Sequence, residues 1–153
     1  MSFMKNVYDP GKHKIYTPVN KNKYIGDHYP ILRSSYEVKF CRWLDMNPNV
    51  MFWNSEQIEI KYYDPTTNKF RRYYPDFFMR AQDKTGKVKN YIIEIKPYKE
   101  THPPRMAGKK KKETLLYEQK TWLKNQAKWK AAVEWCNNNN CEFKILTERQ
   151  LLK

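Results

Sequence analysis

From Ser35 to Met46 the apolar side chains return every three or four positions, at Tyr36, Phe40, Trp43 and Leu44. That spacing predicts a helix, capped by Ser34 or Ser35 and stopped by Asn47-Pro48-Asn49. Downstream the period shortens. Val50–Trp53 is a short apolar run, and Gln57–Tyr63 alternates, with Ile58, Ile60 and Tyr62 on one face and Glu59 and Lys61 on the other. Phe70–Met79 and Val88–Lys96 are rich in aromatic and β-branched residues and read as strands. The polar stretches Asp64–Lys69 and Gln82–Lys87 between them are turns by composition. Together these segments predict an antiparallel meander behind the first helix. Helical spacing resumes from Glu113 to Cys136, with a stripe of Gln119, Trp122, Gln126, Trp129, Val133 and Cys136 that predicts the buried face. Asn137–Asn140 ends that helix, and Glu142–Leu146 is a last strand. A helical crossover allows it to lie parallel to Val88–Lys96. Thr147 caps a closing helical turn through Leu152. The expected fold class is α/β (α+β), with a mixed sheet of about four to five strands flanked by an upstream helix and a long C-terminal helix.

Residues 1–32 follow neither period. They are rich in Lys, Tyr, Pro, Asn and Gly and read as a basic arm packed on the domain, with Tyr8, Tyr16, Tyr24 and Tyr29 as anchors. Lys5, Lys12, Lys14, Lys21 and Lys23 lie along it. Residues 33–153 then form the domain proper.

Composition narrows the partners. Thirty Lys and Arg against 16 acids give a formal net charge of +14 on 153 residues, which favours a polyanion, nucleic acid before an anionic membrane. The three cysteines form no CxxC pair, which speaks against a zinc finger or a disulfide framework; Cys41 and Cys136 are expected as small core residues. No apolar run approaches the ~20 residues of a membrane span, and none follows Met1–Asn6 as a leader would require. A reducing, cytoplasm-like compartment is expected.

Charge also stands where the strand pattern does not call for it. Asp76 interrupts the aromatic run Tyr73–Met79, and Glu94 and Lys96 sit two apart in an apolar strand, so they share a face. Two carboxylates drawn together in a semi-buried place have a reason to be there if they share a divalent cation. Asp76 and Glu94, with the main-chain carbonyl of Ile95, would hold Mg²⁺ (with Mn²⁺ as a substitute), and Glu37 on the first helix would reach it through a water. Lys96 would orient or deprotonate the attacking water or steady developing charge. These parts serve metal-dependent phosphodiester hydrolysis, with Glu37, Asp76, Glu94 and Lys96 as catalytic residues. An ordinary cross-strand ion pair is the plainer reading, but an exposed pair contributes only about 0–1 kcal/mol and would not call for three charges in such apolar strands.

The ordered series Pro75-Asp76 … Glu94-Ile95-Lys96 behind a helix glutamate resembles the PD-(D/E)xK restriction-endonuclease-like superfamily. More narrowly, the chain is similar to the head-completion nucleases of T4-like tailed phages. The likeness is carried by Tyr24-Ile25-Gly26, Arg33-Ser34-Ser35-Tyr36-Glu37, Trp43-Leu44-Asp45, Trp53-Asn54-Ser55-Glu56, Arg71-Arg72-Tyr73, Lys128-Trp129-Lys130 and Phe143–Glu148. The start of the first helix also resembles the TnsA nucleases that cut transposon ends. The resemblance implies a phage DNA nuclease with endo- and exonuclease activity that trims packaged DNA before head–tail joining. It implies capsid or connector proteins as partners, work in the host cytoplasm during assembly, and association with the virion.

Arg33, Arg71, Arg72 and Lys128 are candidate DNA-backbone contacts; Arg71 and Arg72 alternate across a strand, so at most one should face a cleft. A DNA-binding or capsid-connector protein without chemistry, and an RNA nuclease, are the competing readings.

Overall fold

The computed structural model describes residues 14–106 and 108–151; Tyr8, Lys5 and Lys12 of the basic arm lie outside them. A short ladder pairs β1 (Lys14–Ile15) with β2 (Ile31–Leu32), and a 3₁₀ turn spans Lys21–Lys23. Helix α1 (Ser35–Met46) starts where the Ser34 hydroxyl accepts from the Glu37 amide, which satisfies one of the unpaired donors of the first turn.

The central sheet has the order β3 (Val50–Ser55), β6 (Phe77–Gln82), β7 (Val88–Ile95), β8 (Cys141–Leu146). The first three are antiparallel neighbours, and β8 is parallel to β7. That parallel pairing follows from the crossover made by the long helix α2 (Lys112–Asn138). Asn140 then takes a left-handed conformation, φ 55°, to turn the chain into β8. A single turn of helix, α3 (Glu148–Leu151), ends the described chain.

Two expectations are corrected. Phe70–Met79 is not one strand but two, β5 (Lys69–Tyr73) and β6, broken at Tyr74-Pro75-Asp76. Pro75 has no N–H for a ladder and restricts Tyr74, so the strand cannot continue through it. As a result β4 (Ile60–Asp64) and β5 leave the sheet and form their own hairpin, and the meander is interrupted. The buried face of α2 is also rotated from the expected stripe. Asn125, Trp129, Ala132 and Cys136 are buried, while Gln119, Gln126 and Val133 face out.

One core lies between α1 and the sheet, built on Phe40, Leu44, Trp53, Phe77 and Ile93. The second lies on the other face, where Trp129 and Ala132 of α2 pack between the hairpin residues Ile60, Tyr62 and Tyr73 and the β8 residues Phe143 and Ile145. Residues 14–32 are bound to the first core. Tyr24 packs edge-on to Trp53 with centroids 4.8 Å apart. Asp45, fully buried, accepts from the Tyr16 hydroxyl (2.8 Å) and from the amides of Val19 (2.7 Å) and Asn20 (2.9 Å). Cys41, in the first core, and Cys136 on α2 are buried free thiols. Among the described residues no helix is long and apolar enough to cross a membrane.

Candidate active site at the end of the β6–β7 ladder

The antiparallel register pairs Phe77 with Ile93, so the next position along sets Asp76, just before β6, opposite Glu94. The Asp76 amide donates to Glu94 Oε1 at 3.3 Å, and Asp76 Oδ2 accepts from the Ile95 amide at 2.7 Å. The break at Pro75 makes this possible: outside a regular strand, the Asp76 side chain can fold back onto the neighbouring backbone.

Alternation along β7 sends Ile93 and Ile95 into the core under α1, and Glu94 to the opposite face, toward α2. Glu94 is only 5% exposed. Burial, and then the charge of Asp76, push its carboxyl up to about 8; Lys96 works the other way. Burial raises Asp76 as well, opposed by the Ile95 amide and by Lys96. Lys96 Nζ lies 3.9 Å from Glu94 Oε2. The three side chains singled out from the strand pattern therefore converge.

Glu37 reaches Asp76 from the α1 side. Its carboxylate accepts from the Arg33 amide at 3.2 Å. Burial, and then Asp76, raise it to about 7. Glu56 joins this group without having been assigned a role from the sequence. It stands at the end of β3 with φ 54°, its amide donates to the Asp76 carbonyl at 3.2 Å, and its charge raises both Asp76 and Glu37. The Arg33 guanidinium is ion-paired with Glu56, so Arg33 sits at the acid cluster.

On the α2 side, Lys128 is half-buried over the rings of Tyr73 (5.5 Å) and Tyr62 (5.9 Å). Burial lowers its ammonium, and Glu94 opposes that shift. Tyr73 was likewise missed as a site residue. Its buried hydroxyl lies beside the Glu94 carboxylate without reaching hydrogen-bond geometry and has no other partner among the described residues. Burial first, and Glu94 second, hold the phenol protonated far beyond its usual range.

Arg71 and Arg72 do not join the cluster. On the β4–β5 hairpin Arg71 Nε lies 3.1 Å from Asp64 Oδ2, and Arg72 Nε lies 3.6 Å from Glu59 Oε1.

The donor set suits a hard divalent cation. Buried Glu94 and half-buried Asp76, both displaced toward the protonated form, are short of positive charge, and Mg²⁺ binds through one or two carboxylates while keeping several waters. Among the described residues no group of three or more His, Cys, Asp or Glu is placed to hold a metal ion; Asp76 and Glu94 would hold one as a pair, with waters in the remaining positions.

Two comparisons bear on this geometry. A family model described as "TnsA-like endonuclease N terminal" matches residues 47–148, a span that holds Asp76, Glu94, Lys96 and Lys128 and begins after Glu37. The head completion nuclease of Enterobacteria phage T4 is 40% identical over 140 residues, covering 87% of this chain and 89% of that protein.

Proposed function

The chain belongs to the TnsA-like endonuclease family of PD-(D/E)xK nucleases, and from that footing we propose that it is a Mg²⁺-dependent nuclease that hydrolyses phosphodiesters of DNA. The observation that carries this reading is the register that sets Asp76 against Glu94, with Lys96 Nζ 3.9 Å from Glu94.

Asp76 and Glu94, with the Ile95 carbonyl, would hold the cation. Bound there, Mg²⁺ or Mn²⁺ supplies Lewis-acid polarisation of a phosphoryl oxygen and acidification of a water. Lys96 places an ammonium beside that centre, where it orients the attacking water and steadies charge as the phosphate takes on its fifth oxygen. Glu37, raised to about 7, exchanges a proton readily near neutral pH and suits a group that holds or passes one. Lys128 approaches Glu94 from the opposite side to Glu37 and can neutralise a phosphate entering the cleft.

The T4 relative's name supports a role in phage head completion. The chain would act in completing phage heads by trimming packaged DNA before head and tail join. It would then meet capsid or head–tail connector proteins in the host cytoplasm and remain with the virion. The net charge of +14 supports a DNA partner.

Purified protein incubated with duplex and single-stranded DNA in Mg²⁺, Mn²⁺ or EDTA, beside Asp76→Ala, tests the chemistry. Cleavage that needs metal and Asp76 is expected. A folded wild-type protein inert on both DNAs in both metals defeats the reading, and cleavage of a matched RNA duplex but not of DNA reassigns the substrate.

A further inference from the structure

Between the chain that follows Lys96 and the first half of α2 lies a groove of about 690 Å³ to which no role has yet been given. One wall is the chain that leaves the catalytic strand: the 3₁₀ turn Tyr98–Thr101 and the segment through Arg105. The other wall is the first half of α2, which presents Tyr117, Trp122 and Asn125.

Asn125 is the telling residue. It is 5% exposed and lines the groove, so the little of it that meets solvent opens there. A polar residue in the middle of a helix's buried face calls for a reason. An amide offers a donor and an acceptor side by side, the pattern that matches the edge of a nucleobase. Around it stand flat aromatic surfaces. Trp122 is held edge-on by Trp129 at 6.3 Å, and Tyr117 is 71% exposed.

The opposite wall is built to stay in place. The Tyr98 amide donates to Glu148 Oε1 at 2.6 Å, and the Arg149 guanidinium covers one face of the Tyr98 ring at 3.3 Å from its centroid. His102 lies against the same ring at 4.5 Å. Basic groups outnumber acids on the rim: Lys99, Arg105 and Lys110 stand with Glu100 and Glu118, and Glu118 holds Lys110 at 3.0 Å.

Position completes the case. Asn125 is one helical turn before Lys128, about 5 Å along the axis, and Lys128 is the residue that faces Glu94. Tyr98 is two residues beyond Lys96. A nucleotide in the groove would therefore neighbour the phosphate at the acid cluster. The volume suits one nucleotide within the usual ~300–1,000 Å³ of ligand pockets, and not a paired, stacked duplex.

We propose that this groove receives one unpaired nucleotide of the substrate, its base against Trp122 and Tyr117 and its edge on the Asn125 amide, beside the phosphate to be cut. The assignment rests on the nuclease reading above. The enzyme would then favour frayed ends, flaps or gaps over continuous duplex.

The test uses the full chain, Tyr117→Ala and Asn125→Leu in EDTA, titrated with a single-stranded oligodeoxynucleotide carrying 2-aminopurine and with the same base paired in a duplex. Wild type should quench the unpaired probe, and each variant should lower the ratio of unpaired to paired affinity roughly tenfold, in keeping with loss of one base contact. Equal ratios in all three proteins overturn the proposal. Thermal unfolding checks that the variants fold; should Asn125→Leu fail, the exposed Tyr117→Ala decides alone. A parallel cleavage assay in Mg²⁺ keeps the two readings apart. A protein that cuts nothing yet shows the quench and its loss retains the nucleotide site and forfeits the nuclease, whereas one that cuts DNA but shows no quench forfeits only the groove.

Discussion

The Asp76 amide holds Glu94 Oε1 at 3.3 Å, while the Asp76 carboxylate repels the group that its own backbone positions. The ladder thus imposes a contact that electrostatics opposes, and the opposition has a measurable pH signature.

Glu94 is raised from 4.5 to about 8 and Glu37 from 4.5 to about 7. A raised carboxyl means that the folded state binds the proton more tightly than the unfolded one, so the stability it contributes is complete below about 4.5 and is lost as pH rises through 7 to 8. Metal-free protein should therefore unfold at progressively lower temperature from pH 5 to pH 8. Mg²⁺ competes with those protons, so its stabilising effect should grow over the same interval. Differential scanning calorimetry across pH with EDTA or Mg²⁺ measures both; a metal effect that is absent, or larger at pH 5 than at pH 8, contradicts the assignment.

Glu94→Gln keeps an oxygen for the Asp76 amide and removes the repelling charge. It should abolish cleavage, by about a thousandfold or more, yet raise metal-free stability at pH 8 by about 1–2 kcal/mol, or a few degrees in Tm. Loss of activity together with loss of stability would mean that the carboxylate is structural.

Asp45→Ala leaves the Tyr16 hydroxyl and the Val19 and Asn20 amides without their acceptor in a buried place. We expect a cost of about 3–5 kcal/mol in urea denaturation. Residues 14–32 should become the first site of limited proteolysis. Protection equal to wild type would show that the segment is held by its aromatic contacts alone.

Arg71 and Arg72, adjacent in sequence, should behave differently. Arg71 serves the buried Asp64, whose other cation among the described residues is Lys124 at 3.9 Å. Arg71→Ala should destabilise the hairpin by about 1–2 kcal/mol. Arg72 is exposed and paired with exposed Glu59, so Arg72→Ala should change stability by less than about 0.5 kcal/mol. If Arg72 meets a backbone phosphate, its loss should flatten the salt dependence of DNA affinity by about one unit of slope.

Much of the site was legible because a strand advertises its faces. Glu94 and Lys96 in an apolar run had to share a side, and an aspartate inside an aromatic run had to be explained. What stayed hidden was decided by tertiary context. Tyr74-Pro75 is flanked by aromatic residues on both sides, so the pattern reads through the proline that ends β5. Glu56 acquires its place near Asp76 from a left-handed backbone that its own side chain does not announce. Asn125 was passed over because the expected stripe ran through its neighbour Gln126, and the buried face of α2 is turned by about one residue from that line. Pro75, a proline within a strand pattern, was the one available warning.

The edge position of β8 has a temporal meaning. β7 carries Glu94 and leads into Lys96, whose amide donates to the Leu146 carbonyl at 3.0 Å. Along that side its neighbour is a strand translated only after the whole of α2. A nascent chain still on the ribosome holds the acids but lacks the strand that fixes their ladder, since long-range pairing forms late. On the proposed nuclease reading, the cutting centre would be braced only after β8 has emerged.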